Sequence, residues 1–234
     1  MKNRIWFLAL FLLLLAACAD DPPPPAPDEI ITQMSAALAA QQSFHFAIDR
    51  SGAPAYVDPG NTLSFRHAEG DFLAPDKAQA AVRVNLPGIV TEISLISIGP
   101  IQWQTNVLTG RWEELPPNWG FNPTVLFDEA EGLPAILAAD LQDVALAGTE
   151  TLEDGPDAAL YHLTGSVAGD RLFEMSGGLI GPETVSVDLW VAPETFLPQR
   201  IVVVEPEPER DEPSVWQVDF SQFNQEIEIT PPTS

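Results

Sequence analysis

Hydrophobic positions along the chain follow two rhythms. Ile30, Ile31, Met34, Ala37 and Leu38 recur at the spacing of an amphipathic helix, which predicts a helix from Asp28, a good N-cap, to about Gln42. From Ser43 the period falls to two. Phe44, Phe46 and Ile48 point one way and Ser43, His45 and Asp49 the other, as in a half-exposed strand. The same alternation returns in Leu63-Phe65-His67, in Val82-Val84-Leu86, over residues 89–98 and in Ile101-Trp103-Thr105-Val107. The breaks Asp58-Pro59-Gly60-Asn61, Leu86-Pro87-Gly88 and Gly99-Pro100 are turn chemistry, and their short spacing predicts hairpins between antiparallel neighbours.

After Gly110-Arg111-Trp112-Glu113-Glu114-Leu115-Pro116-Pro117 the period changes. Residues 123–140 cluster Val125, Leu126, Phe127, Leu133, Ile136 and Leu137 around Gly132 and Pro134, which predicts two short helices or one broken helix. Strand patterns resume at about 143–150, 158–167, 184–192, 199–205 and 214–221, with the acidic, proline-rich loop Glu205 to Pro213 before the last. Strands dominate without βαβ alternation, so the expected fold is α+β on one antiparallel sheet. Twist keeps so long a sheet from staying flat, and curling gives it a concave face. Val82, Val84, Ile93, Leu95, Ile101, Trp103, Val185, Val187 and Leu189 are the candidates for that face. Leu126, Phe127, Leu133, Ile136 and Leu137 are candidates from the covering helix. Helices that fill the concavity make an ordinary core, whereas helices that roof it leave an apolar pocket. Periodicity leaves both open.

The first residues read differently. Lys2 and Arg4 precede a 13-residue apolar run, Ile5 to Ala17, too short for the roughly 20 apolar residues that span a bilayer, so residues 1–17 are expected to be an export signal. Leu15-Ala16-Ala17-Cys18 resembles the bacterial lipobox, whose cysteine is acylated after the signal is cut. Cys18 is the single cysteine, so an internal disulfide offers no alternative role for it. Two or three acyl chains exceed the single chain that gives only marginal binding, so the mature protein is expected to be attached to a membrane without crossing it. Residues 18–27, rich in proline, would then be a tether whose nine residues after Cys18 extend roughly 25–30 Å at about 3.1 Å per residue. Residues 28–234 form the expected single domain. The expected location is outside the cytoplasm, on a bacterial cell membrane.

Charge narrows the partners. Ten Lys and Arg stand against 34 Asp and Glu, a formal charge of −24, and only Lys77 of the lysines lies beyond the signal. Phosphate backbones are repelled by such a surface, so nucleic acid is excluded and acyl chains alone must supply the anchoring.

Several motifs in order carry a resemblance. The lipobox, Ser43-Phe44-His45-Phe46, the run Ile98-Gly99-Pro100-Ile101-Gln102-Trp103 closed by Gly110-Arg111-Trp112-Glu113-Glu114-Leu115-Pro116, and the ending Trp190-Val191-Ala192-Pro193-Glu194-Thr195-Phe196-Leu197-Pro198-Gln199-Arg200-Ile201 resemble the LppX/LprAFG family of bacterial lipoproteins over nearly all of residues 28 to 232. Relatives often carry Asp at the position of Ala192. The family is similar in fold to periplasmic lipoprotein carriers and to a sensor domain that binds sigma-factor regulators. The resemblance implies a bent half-barrel around a hydrophobic cavity, and the binding and transfer of lipids or lipoglycans. An interaction module with a filled core, and a surface spacer, are the competing expectations.

No catalytic constellation stands out. There is no Gly-x-Ser-x-Gly elbow, phosphate loop or dinucleotide fingerprint, and Ser176-Gly177-Gly178 reads as a loop. His45, His67 and His162 are far apart and read as strand residues with local partners. The acidic run Asp128-Glu129-Ala130-Glu131 lacks the ligand alternation of a calcium loop and reads as solvated charge. Trp103, Trp112, Trp119, Trp190 and Trp216 could line a cavity or stack on sugars, core packing being the commoner use. Neither enzymatic activity, metal nor cofactor is expected.

Overall fold

The computed structural model describes residues 23–58, 60–116, 122–206 and 213–233. The signal, Cys18, the start of the tether, Trp119 and residues 207–212 of the acidic loop lie outside the described residues.

Helix α1, Pro27–Ala39, opens the domain with Ala26 as N-cap and Pro27 in its first turn. Asp28 therefore sits inside the helix, where with Glu29 it meets the positive end of the helix dipole. Strands β1 (Ser43–Ser51), β2 (Ser64–Leu73), β3 (Lys77–Leu86), β4 (Ile89–Ile98), β5 (Ile101–Thr105) and β6 (Trp112–Glu114) follow as a meander. A short 3-10 helix, Pro123–Phe127, and α2, Leu133–Asp140, lead to β7 (Gln142–Glu150) and β8 (Leu160–Val167). After α3, Gly169–Met175, come β9 (Val185–Val191), β10 (Pro198–Glu205) and β11 (Ser214–Ser221).

All eleven strands form one antiparallel sheet in the order β6-β5-β4-β3-β2-β1-β11-β10-β9-β8-β7. It is two meanders joined where β1 pairs with β11. The two edges, β6 and β7, are consecutive in the chain, so the connection between them has to pass from one border of the open sheet to the other. This is why the helical segments of residues 123–140 come to roof the concave side. Pro134 falls in the first turn of α2, where its missing N–H costs nothing, with Gly132 as N-cap. The broken-helix pattern is thus two helices with a turn between them.

Three local readings change. Helix α3 was not legible as a helix: it has seven residues, and only Leu172 and Met175 among its large apolar side chains are buried. Ser176-Gly177-Gly178 is the turn that ends it. In β2 the register shifts between Phe65 and His67, so that Phe65 opposes Val84 while His67 opposes Arg83. One extra residue reverses the alternation, turning Phe65 inward and leaving His67 on the outer face against Asp49. Edge strand β7 carries two such irregularities, at Gln142/Ala145 and Leu146/Gly148.

The outer face is tied by cross-strand pairs: His45 to Asp71 at 2.9 Å, His67 to Asp49 at 2.8 Å and His162 to Asp188 at 2.7 Å. The three histidines are therefore strand residues with separate partners. Trp190 stacks on His162 with ring centroids 4.5 Å apart. Arg200 binds both Asp219 and Asp154. Burial works to lower the Arg200 pKa, but hydrogen bonds to the two carboxylates and their charges outweigh it and raise the value. The β9–β10 turn closes without an Asp at position 192, through Ala192 N–H to the Leu197 carbonyl at 3.0 Å.

Candidate functional site

The concave face divides into two halves. Toward the end where β1 starts, Phe44 packs against Phe72 (centroids 5.0 Å), Phe127 (4.9 Å) and Phe220 (5.7 Å). This half is solid: between α1 and the rings, beside Leu38 and Pro134, only about 30 Å³ remains. Toward the other end, the inward row changes from Phe to small residues. Ile48, Ala68, Val82 and Ile93 are register partners on successive strands, as are Phe46, Gly70, Ala80, Leu95 and Gln104. Two alanines and a glycine stand where the solid half has rings, and the space they leave is a cavity of about 220 Å³.

The cavity wall is built from β1 to β5, β10 and β11. Val57, Asp58 and Leu63 close it from the β1–β2 loop, Leu126, Phe127 and Leu133 from the roof, and Met175, Leu179 and Ile180 from the end of α3 and the loop after it. Its lining is almost wholly apolar, with Asp58, Gln104 and Ser176 as the polar exceptions. Asp58 is committed to its own loop, accepting from Gly60 N–H at 3.1 Å, Thr62 N–H at 2.9 Å, the Thr62 hydroxyl at 2.8 Å and Leu63 N–H at 2.6 Å. Burial works to raise the Asp58 pKa, yet these donors prevail and hold it below the ordinary aspartate value. At neutral pH it is a structural carboxylate rather than an acid catalyst.

Beside this wall, Trp216 packs on Phe65 at 5.3 Å and carries the Arg50 guanidinium 4.9 Å above its ring. The Trp216 indole N–H donates to Glu205, whose other oxygen accepts from Gly181 N–H at 2.7 Å. The loop after α3 is thereby fastened to the sheet.

Of the residues expected to face the hollow, Val82, Val84, Ile93, Leu95, Leu126, Phe127 and Leu133 come together there. Ile136, Leu137, Val185, Val187 and Leu189 are instead packed solid, none more than 1% exposed. Ile101 and Trp103 belong to the other face. Cross-strand partners share a face, and the register pairs Ile96 with Trp103 and Leu95 with Gln104, so β5 turns its two glutamines inward. Ile101 is 44% exposed. Phe46, Ile48 and Phe65 are wall residues that the sequence reading did not single out, while Trp216, one of the tryptophans weighed as cavity lining, does reach the wall. Phe46 and Ile48 had the inward alternation that marks them, while Phe65 was concealed by the bulge.

The arrangement offers an oily space and no reacting groups. Among the described residues no group of three or more His, Cys, Asp or Glu is placed to hold a metal, and no helix is long and apolar enough to cross a membrane.

The fold has known counterparts. LprF from Mycobacterium bovis superposes with a TM-score of 0.67 at 15% identity, the match covering 91% of this chain and 100% of that one. Lipoprotein LppX from Mycobacterium tuberculosis gives 0.61 at 15% identity, covering 89% and 100%. No curated protein matches the chain in sequence. The model of the LppX_LprAFG lipoprotein family matches residues 26–229, almost the whole described domain. On that match and this half-barrel, the chain belongs to the LppX/LprAFG family of lipoproteins.

Proposed function

We propose that the protein is an exported lipoprotein that takes up a lipid alkyl chain in the cavity and passes it on. The observation that carries this is the hollow of about 220 Å³ behind an apolar wall. An engineered apolar cavity of about 150 Å³ stays dry and binds benzene, so a larger space of the same character favours hydrocarbon over water. Pockets for drug-sized ligands span about 300–1,000 Å³, so this one suits a single alkyl segment, and a two-tailed lipid or lipoglycan requires it to widen. Desolvation supplies the binding: each buried methylene contributes about 0.8 kcal/mol, before ordering costs. Widening is assigned to the roof, where the turn from Asp128 to Gly132 joins two separate helices and offers a place to part.

The N-terminal reading completes the proposal. Residues 1–17 direct export, Cys18 is acylated, residues 18–27 tether, and the domain from 28 onward works beside the membrane. Replacement of Cys18 by Ser is expected to release the protein from the membrane fraction, and a variant that still pellets overturns the anchor.

Native mass spectrometry after gentle purification tests the cargo. The wild-type protein is expected to carry lipid, and Ala68→Phe, which projects a ring between Ile48 and Val82, is expected to carry none while still unfolding cooperatively. A wild-type protein that remains empty after incubation with lipid, or an Ala68→Phe variant that retains it, defeats the reading.

A further inference from the structure

Two hairpins continue the cavity wall beyond the body of the domain. Strands β3 and β4 run on from Val84 and Ile93 to the turn Leu86-Pro87-Gly88-Ile89, and β5 runs on from Gln104 to the loop 106–111. At about 3.3 Å per residue, Ile89 lies roughly 13 Å past Ile93. Both tips are apolar and bare: Ile89 is 64% exposed, Val90 66%, Val107 37% and Leu108 93%. Single exposed apolar residues are ordinary, but four on the tips of adjoining hairpins make a patch.

The Leu108 tip is held in place rather than frayed. The Asn106 side-chain oxygen accepts from Leu108 N–H at 3.0 Å and Thr109 N–H at 3.1 Å, its amide donates to Glu113 at 3.0 Å, and its backbone N–H and carbonyl bond to Arg111 and Gly110 at 2.8 Å each. Five hydrogen bonds through one residue fix a loop whose summit is a leucine facing water.

Charge decides what covers it, and the proposed tether permits the contact. Residues 83–113 contain Arg83, Glu92, Arg111 and Glu113 and no other charged residue, so this stretch is neutral within a chain of −24. Arg83 and Glu92 pair across β3 and β4 at 3.7 Å. A neutral, apolar tip approaches a lipid surface without the repulsion that the rest of the molecule would meet. The proposed tether reaches roughly 25–30 Å, about the length of the nine-residue β1, so an anchored domain is free to turn any of its ends to the membrane.

We infer that the β3–β4 and β5–β6 tips, through Ile89, Val90, Val107 and Leu108, dock into the interfacial layer of a lipid bilayer. The apolar strand faces that line the cavity then lead directly from the membrane surface inward. The inference deepens the lipid-binding reading and rests on it for its purpose, but docking itself is measured without cargo.

The full acylated protein carrying Leu108→Cys, labelled with an environment-sensitive fluorophore, is reconstituted on vesicles of phosphatidylethanolamine and phosphatidylglycerol containing a spin-labelled quencher lipid. Asp76→Cys, in the β2–β3 turn at the opposite end of these strands, is the control. The expected result is a blue shift and quenching at position 108 and neither at 76. Equal quenching at both positions, or a label at 108 that stays in water, overturns the inference and leaves the patch to a protein partner. The double variant Val90→Asp and Leu108→Asp, both on bare tips, is expected to slow lipid uptake from vesicles about tenfold, the factor equivalent to 1.4 kcal/mol, while detergent-dispersed lipid still loads. Unchanged uptake from vesicles counts against docking. Loss of loading from detergent as well would mean that the variant acts on the cavity, and so also defeats docking as the role of these tips.

Discussion

Gly70 and Ala80 stand directly opposite each other across β2 and β3, so close that a Cβ on Gly70 would lie 2.7 Å from the Ala80 Cα and 1.9 Å from the Gln79 carbonyl oxygen. The approach is between backbones, which have no rotamer with which to yield. Gly70→Ala is therefore expected to destabilise by at least the 1–3 kcal/mol, roughly, of an overpacked core. Thermal unfolding checks this, at about 2–4 °C per kcal/mol for a domain of this size. An unchanged melting temperature contradicts the close approach.

Phe127 is shared by the cavity and by the small residual space in the solid half. Its ring is the partition between them. Phe127→Ala should cost about 3–5 kcal/mol in the empty protein and join the two spaces. The expected signature is a shift of co-purifying lipid toward longer acyl chains, read by mass spectrometry, with part of the lost stability recovered when lipid is added. A cargo profile identical to wild type would show that the ring sets no limit.

Acid should loosen the β1–β2 side of the cavity. The Asp58 pKa is lowered by folding, so its contribution to stability is present above the ordinary aspartate value of about 3.9 and is lost as pH falls from there through the lower folded value. Stability should decline over that acid window, together with amide protection at Gly60, Thr62 and Leu63. Asp58→Asn should remove this component of the slope. An identical slope in the variant would assign the acid sensitivity elsewhere.

Glu205 is 8% exposed and accepts from Trp216 and Gly181, with the Arg50 guanidinium 3.8 Å away. Glu205→Ala removes a charge from a buried cluster, a change worth about 3–5 kcal/mol in comparable sites. Glu205→Gln keeps an acceptor and should cost less. Hydrogen exchange at Gly181 and Ile180 is expected to rise in the alanine variant before exchange elsewhere, because the loop after α3 loses its fastening. Uniform acceleration would instead indicate global destabilisation alone.

Much of this fold could be read from alternation and turns. Residues 89–98 match β4 at both ends, and the interruption at Gly132 and Pro134 resolves into a turn and a new helix. Facing was harder. The turn Gly99-Pro100 places Ile98 opposite Ile101, and counting back puts Ile96 opposite Trp103, so Leu95 and Trp103 cannot share a face. Hydrophobicity pointed the other way, because β5 turns Gln102 and Gln104 inward. The bulge after Phe65 defeated counting altogether, since one extra residue reverses every position before it. Why one half of the concavity is solid and the other hollow is a matter of side-chain volume across strands: Phe72 and Ala68 lie four residues apart in β2, and only the register reveals what each one faces.

An open sheet has two borders, and each presents a row of unpaired backbone groups to which a second copy of the chain could add a strand. Border strand β6 is three residues long, too short to recruit a stranger. Border strand β7 has nine, but its two irregularities throw its free amides out of step, so a straight newcomer finds no continuous ladder to zip onto. The same kinks that interrupt the pattern of β7 thus guard the longer border against edge-to-edge pairing.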